Sequence, residues 1–419
     1  MNILAYGLNY APEIVGIGKY TSELCEWLAG RGHTVKVVTA FPYYPQWRIA
    51  PPYRGRRSLR EWRAGVEVVR CPLFVPARPT GARRLLHHLS FAATSALAAV
   101  ALARRLRPHV VFAVAPSLLS APAAALAARL SGARAWLHVQ DFEIDSAFEL
   151  GLLSGDLLRG CGRAAEGVIL RRFDRVSSIS PRMTERLAER KVERIVELRN
   201  WVDTAAIRPL AGAGRFRAEL GFSASHVIAL YSGTMAAKQG LEHIGAAARR
   251  LAEHRPDIGF VLCGEGPMRA ELIASVGSLP TVRFLDLQPA ERLNELLAMA
   301  DIHLLPQRAG VADLVLPSKL PAMLASGRPV VAMAAAGTQL AAEIAGAGLA
   351  VPPEDGQALT EAIVRLADDT ALRSALGEAA RTAALARWDK RAILERFEHE
   401  LAALARCARH GVAAVPGSA

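Results

Sequence analysis

The chain has 419 residues, a formal net charge of +12 and 52% hydrophobic residues. That apolar content excludes a mainly disordered chain, and at roughly 100–200 residues per domain the length predicts two or three domains. The charge is local: residues 1–203 carry 29 Lys/Arg against 17 Asp/Glu, whereas 204–419 carry 22 of each, and 48–107 alone holds 13 Arg against Glu61 and Glu67. Such a patch favours an anionic partner: nucleic acid, an acidic membrane surface or a phosphorylated substrate. Cys25, Cys71, Cys161, Cys263 and Cys407 form no CxxC pair. This argues against a disulfide framework or a zinc site and for a reducing cytoplasm.

In chain order, the N-terminus MNILAYGLNYAPE reads as a buried strand over Asn2–Tyr6, not as a signal peptide. Gly16-Ile17-Gly18 follows, just before a helix over Tyr20–Arg31. Glycines there let backbone N–H groups approach an anion. An ordinary turn needs them equally, and position 21 is Thr, so the GxGxxG fingerprint fails. Further strands are predicted at Thr34–Thr39, Val66–Arg70, Val110–Val114, Ala135–Val139 and Arg175–Ile179. The uncharged stretches Leu85–Ala103 and Val110–Ala128 approach spanning length, but His87, His88 and many alanines weaken the first, and Pro116 and Pro122 interrupt the second. They read as a buried helix and a strand–loop–helix unit. After Ala135–Val139 comes His138-Val139-Gln140-Asp141-Phe142-Glu143-Ile144-Asp145. The three carboxylates at spacing two suit Mg²⁺ or Mn²⁺ if extended, while capping and solvation explain them as well. His138 and Asp141 are expected to meet substrate hydroxyls or handle protons.

Asn200–Phe222, punctuated by Pro209, Gly212 and Gly214, marks a boundary. Beyond it, strands are predicted at Val227–Ser232, Ile258–Cys263, Val282–Leu285, Ile302–Leu305 and Pro329–Met333, with a helix at Leu241–Glu253 and helical spacing over Leu359–Leu366 and Arg391–Leu404. Strand–helix alternation implies parallel sheets with helices on both faces, here two doubly wound α/β domains. We expect an N-terminal domain over 1–203, joined by a C-terminal helix 388–410, and a second domain over 204–387, with ligands in a cleft. Ser232-Gly233-Thr234-Met235-Ala236-Ala237-Lys238 follows the first strand of domain two. Lys238, one of only six lysines, can place a point charge on a phosphate, though a solvated loop lysine is the plain alternative. Cys263-Gly264-Glu265-Gly266-Pro267 offers a close backbone approach to a nucleotide or sugar, or simply a tight turn. Ser318, Lys319 and Leu320 open a helix where N–H donors, a hydroxyl and a cation suit a diphosphate; a capped helix start is the alternative.

The glycine loop, SGTMAAKQG, CGEGP, SGRPVVA and RNWVDT, taken in order over essentially the whole chain, resemble retaining family-4 glycosyltransferases of the GT-B fold. WLHVQDFEID, GVADLVLPSKL and LRNWVDT resemble the colanic-acid-type exopolysaccharide enzymes among them, including a fucosyltransferase branch. The resemblance implies a nucleoside-diphosphate sugar donor held by the second domain, a lipid-linked or saccharide acceptor held by the first, retention, and neither a cofactor nor a required metal. It places Lys238 on the donor diphosphate, Gly16 and Gly18 near the distal phosphate or sugar, His138 in the active site, Ser318, Lys319 and Leu320 at the diphosphate, and Leu285–Leu287 at the base. Two departures stand out. Thr234 stands near the family's arginine, and of two glutamates eight apart the second is missing at Pro321 or Ala322, with Asp313 a stand-in for the first. A GT-B sugar-nucleotide epimerase and a non-catalytic membrane scaffold are the alternative readings. Nucleic acid is disfavoured, because the basic segment has few interleaved aromatics and no recognition module. Arg83, Arg84, Arg104, Arg105 and Arg107 around an uncharged helix, with Phe74 and Trp62 as apolar anchors, suit an anionic leaflet and a peripheral, cytoplasmic location.

Overall fold

The computed structural model describes residues 1–13, 16–77, 80–142, 155–210, 214–309 and 316–406. The chain divides into two units: Met1–Arg199 with the chain from Ile393 onward, and Asn200–Ala392.

The first unit is built on an eight-stranded sheet: β1 (Asn2–Gly7), β2 (Thr34–Ala40), β3 (Leu59–Arg63), β4 (Val66–Cys71), β5 (Val110–Ala115), β6 (Arg134–Val139), β7 (Arg175–Ser178) and β8 (Ile195–Glu197). Their order is β3-β4-β2-β1-β5-β6-β7-β8, parallel except for β3 against β4. β4 and β5 are buried at every position, as a sheet covered on both faces requires. The apolar runs announced the inner strands. The edge strand β3, LREWR, carries none and was not predicted. Its Trp62 is 72% exposed on that edge.

The C-terminal helix Lys390–Arg406 serves this unit. Phe397 stacks on Trp136 at 6.0 Å and meets Phe112 and His138 edge-on, while Glu398 pairs with His33 at 3.0 Å. The expectation of a buried helix at Leu85–Ala103 is corrected. The helix Gly81–Leu106 buries Phe91, Ser95, Ala99 and Leu102 but exposes leucines on its other side, because the sheet covers one face only.

The second unit holds β9 (Val227–Ser232), β10 (Ile258–Cys263), β11 (Val282–Leu285), β12 (Ile302–Leu305), β13 (Val330–Met333) and β14 (Gly348–Val351), in the order β11-β10-β9-β12-β13-β14. All described pairings are parallel. The order reverses between β9 and β12, so the crevice beyond their carboxyl ends is the expected ligand position. Within the unit, Val202 N donates to Trp388 O and Lys390 N to Val202 O, tying its first and last residues together.

Candidate active site

Beyond β9 and β10 the chains run on side by side. Gly233 N donates to Cys263 O at 2.9 Å, Met235 N to Glu265 O at 2.8 Å and Gly264 N to Leu285 O at 3.0 Å. The glycines follow from this approach. A Cβ on Gly264 would stand 2.0 Å from the Gly233 carbonyl oxygen, and one on Gly266 2.3 Å from that of Met235. Both also hold φ near +150°, at 144° and 151°, which side-chain-bearing residues rarely adopt. Their first role is therefore backbone packing. Glu265 and Leu287 are exposed, Leu287 at 65%, on the rim past β10 and β11.

Lys319 is the distinctive group. Its stem is partly exposed, but its Nζ is buried and has no hydrogen-bond partner among the described residues. The ammonium lies 3.9 Å from the centre of the Tyr231 ring and 3.3 Å from where a Gly233 Cβ would stand. The Tyr231 hydroxyl donates to Thr234 O at 2.7 Å, which fixes the ring under the cation. Burial pushes the Lys319 ammonium down to about 7. A buried, unanswered positive charge costs free energy unless an anion arrives to meet it.

Lys238 falls in the single turn Ala237–Gln239, closed by Gly240 at φ 64°. Arg308, just past β12, donates from Nε to Ala237 O at 2.8 Å and also pairs with Glu242, so it holds that turn. The Lys238 side chain and Asp313 lie outside what the structure describes, as do Glu143 and Asp145. Ser318 and Thr234 are exposed. Leu320 is fully buried and its amide donates to Pro317 O at 3.0 Å. Tyr231, which lies under the Lys319 ammonium, and Arg308, which holds the Lys238 turn, were missed by sequence reasoning. The available signal was that they end or follow β9 and β12, the two strands flanking the order reversal.

In the first unit, Gly16 has φ 61° with open space beside it, as an approachable loop needs. Gly18 is different: a Cβ there would stand 3.1 Å from the Glu13 Cβ, so its absence seats the protein's own carboxylate. Glu13, 6% exposed, accepts from the Tyr43 and Tyr44 amides at 3.0 Å and from Asn9 at 2.8 Å. Burial raises its carboxyl above the usual range. His138 stands one residue before the carboxyl end of β6, as expected, but its side chain is enclosed. It is 3% exposed within β6, its Nδ1 2.8 Å from Ser177 Oγ, stacked on Phe112 and edge-on to Phe397. Burial drives its imidazolium down to about 3, so it is neutral in ordinary buffers. Alternation along β6 turns Trp136 and His138 to one face, whereas Gln140 and Asp141 follow the strand end.

Each of the two doubly wound units offers a ligand position beyond the carboxyl ends of its strands, and the chain belongs to the glycosyltransferase family. The family descriptions "Glycosyl transferase 4-like domain" and "Glycosyl transferases group 1" match residues 15–201 and 226–369. It is 42% identical, over 87% of this chain and 91% of the relative, to a protein of Escherichia coli (strain K12) named as the colanic acid biosynthesis glycosyl transferase WcaI. It is also 29% identical, over 36% of this chain and 39% of the relative, to alpha-D-kanosaminyltransferase of Streptomyces kanamyceticus. Among solved structures it is similar to sucrose-phosphate synthase of Thermosynechococcus elongatus (TM-score 0.72, 20% identity, 96% and 98% of the two chains). Another is Anabaena Alr3699/HepE in complex with UDP (TM-score 0.70, 17% identity, 96% and 100%). The fold is GT-B, and the protein is a glycosyltransferase.

Proposed function

We propose that the protein moves a hexosyl unit, fucosyl among the candidates, from a nucleoside diphosphate to a lipid-linked or saccharide acceptor, with retention and no required metal. The observation that carries it is the buried Lys319 ammonium, which lies over the Tyr231 ring at the carboxyl end of β9 and has no hydrogen-bond partner among the described residues. As the bond from the anomeric carbon to the diphosphate oxygen breaks, negative charge grows on the leaving group. Lys319 and Lys238 would answer it, in a site where low dielectric makes each charge worth more. The acceptor hydroxyl attacks from the face the leaving group vacates and gives its proton to the departing phosphate oxygen. A relative's structure with UDP-glucose supports a nucleotide-sugar donor. The basic segment supports a cytoplasmic enzyme peripheral to the inner face of the membrane, not a nucleic-acid binder. The test is calorimetry with UDP, GDP and dTDP sugars, followed by transfer to a bacterial lipid extract by the wild type and by Lys238→Ala. Wild-type rate in that variant at saturating donor would sink the assignment.

A further inference from the structure

The helix Gly81–Leu106 is long and apolar enough to cross a membrane, yet only 28% of its most apolar stretch is buried. Its outer side shows Leu85 at 51% exposure, Leu86 at 51%, Leu89 at 46% and Leu97 at 81%, and no charge stands between Arg84 and Arg104. The outer side of a helix on a water-soluble unit ordinarily carries polar residues. The helix Ala121–Ser131 packs beside it and adds exposed Leu126 and Leu130. Phe74, 41% exposed, is fastened to the same element through its amide, which donates to Ser90 Oγ at 2.8 Å. Apolar side chains gathered at this density mark an interaction surface.

Its surroundings are basic. Arg83, Arg104, Arg105, Arg107 and Arg129 are exposed, and none has a carboxylate partner among the described residues. We propose that this leucine face, rimmed by arginines, seats the protein in the surface of an anionic bilayer, with the helix lying in the membrane plane rather than crossing it.

The inner side of the helix excludes crossing. Phe91, Ser95, Ala99 and Leu102 are core, the Tyr6 and Ser95 hydroxyls share a hydrogen bond of 2.7 Å, and Thr94 donates to Pro72 O at 2.6 Å. A spanning helix would have to leave the sheet and take these polar groups into hydrocarbon. The arginines also disfavour a second copy as the occupant. A two-fold contact brings the same patch together, so the five guanidinium groups would face their like. An anionic lipid surface answers both the leucines and the arginines. The inference deepens the peripheral location proposed above and is independent of nucleotide binding.

The test is sedimentation of the full chain with vesicles of phosphatidylglycerol and phosphatidylethanolamine, and with neutral phosphatidylcholine. Anionic vesicles should retain the protein in low salt and release it in high salt or alkaline carbonate. The double variants Leu86→Glu/Leu97→Glu and Arg104→Glu/Arg105→Glu should each partition at least tenfold more weakly. Because the altered side chains already face outward, their thermal unfolding should match wild type, and UDP binding measured in parallel should be unchanged. Failure of UDP to bind any of these proteins counts against the transfer reading alone. Equal binding to neutral vesicles, resistance to carbonate, or unaltered partitioning of folded variants would overturn the proposal. So would a dimer that Leu97→Glu dissociates without changing vesicle binding.

Discussion

Replacing Lys319 with methionine separates stability from function. Methionine keeps an unbranched stem of similar length over Tyr231 but removes the buried charge. In the native chain the ammonium is depressed from 10.5 to about 7. At 1.36 kcal/mol per pH unit, the charged form costs up to about 5 kcal/mol where it is fully protonated. Between pH 7 and 10.5 the unfolded chain holds the proton that the folded chain has released, so wild-type stability should rise with pH across that window. The methionine variant lacks this slope. At pH 6 it should be the more stable protein, by an amount approaching that bound, and the difference should vanish above pH 10.5, where both chains are neutral. Donor binding should move the other way. A hydrogen bond to a charged group is worth about 1.5–3 kcal/mol, so affinity for the nucleotide sugar should fall roughly 10- to 150-fold. Urea unfolding at pH 6, 8 and 10, with calorimetric titration of UDP at each, reads both effects. A variant less stable at pH 6, with unchanged nucleotide affinity, would refute the reasoning, because the ammonium would then be satisfied where it sits.

Gly264→Ala should cost roughly 3 kcal/mol or more, since its Cβ meets the Gly233 carbonyl and φ is 144°; thermal unfolding measures this, and Gly16→Ala should cost less, having open space around it. His138→Phe should lower stability by about 1–3 kcal/mol, because the Ser177 hydroxyl keeps the Trp136 Nε1 donor but loses its His138 partner, while kcat of the folded fraction stays within about threefold. Because His138 is held neutral down to about pH 3, wild-type stability should decline as pH falls below 6.5, with a shallower decline in His138→Phe, as acid titration followed by circular dichroism would record. Glu13→Ala should loosen the Pro42–Tyr44 segment, because both amides lose the Oε1 they share and Asn9 loses Oε2; faster hydrogen exchange at the Tyr43 and Tyr44 amides is the readout.

The strands buried on both faces were legible because burial leaves an uninterrupted apolar run, as in VVFAVA and IGFVLC. β3, β8 and β14 left no such run, being an edge strand, a three-residue strand and a short GLAV segment among helical patterns. The glycine motifs were equally visible, but not their purpose. Whether a glycine admits a ligand or a neighbouring backbone depends on which chain lies beside it, and for Gly264 and Gly266 that chain is the turn after β9. His138 looked available because sequence position marks the end of a strand but not the direction of a side chain or the helix Lys390–Arg406 that returns to cover it.

Local composition thus determined the α/β class, the order of most elements and the confinement of positive charge to one segment. Tertiary structure decided which groups stand alone. The Lys319 ammonium is buried and has no hydrogen-bond partner among the described residues, and the leucines of Gly81–Leu106 are exposed because the sheet covers one face of that helix and leaves the other open. Both are properties of neighbours brought together from distant parts of the chain.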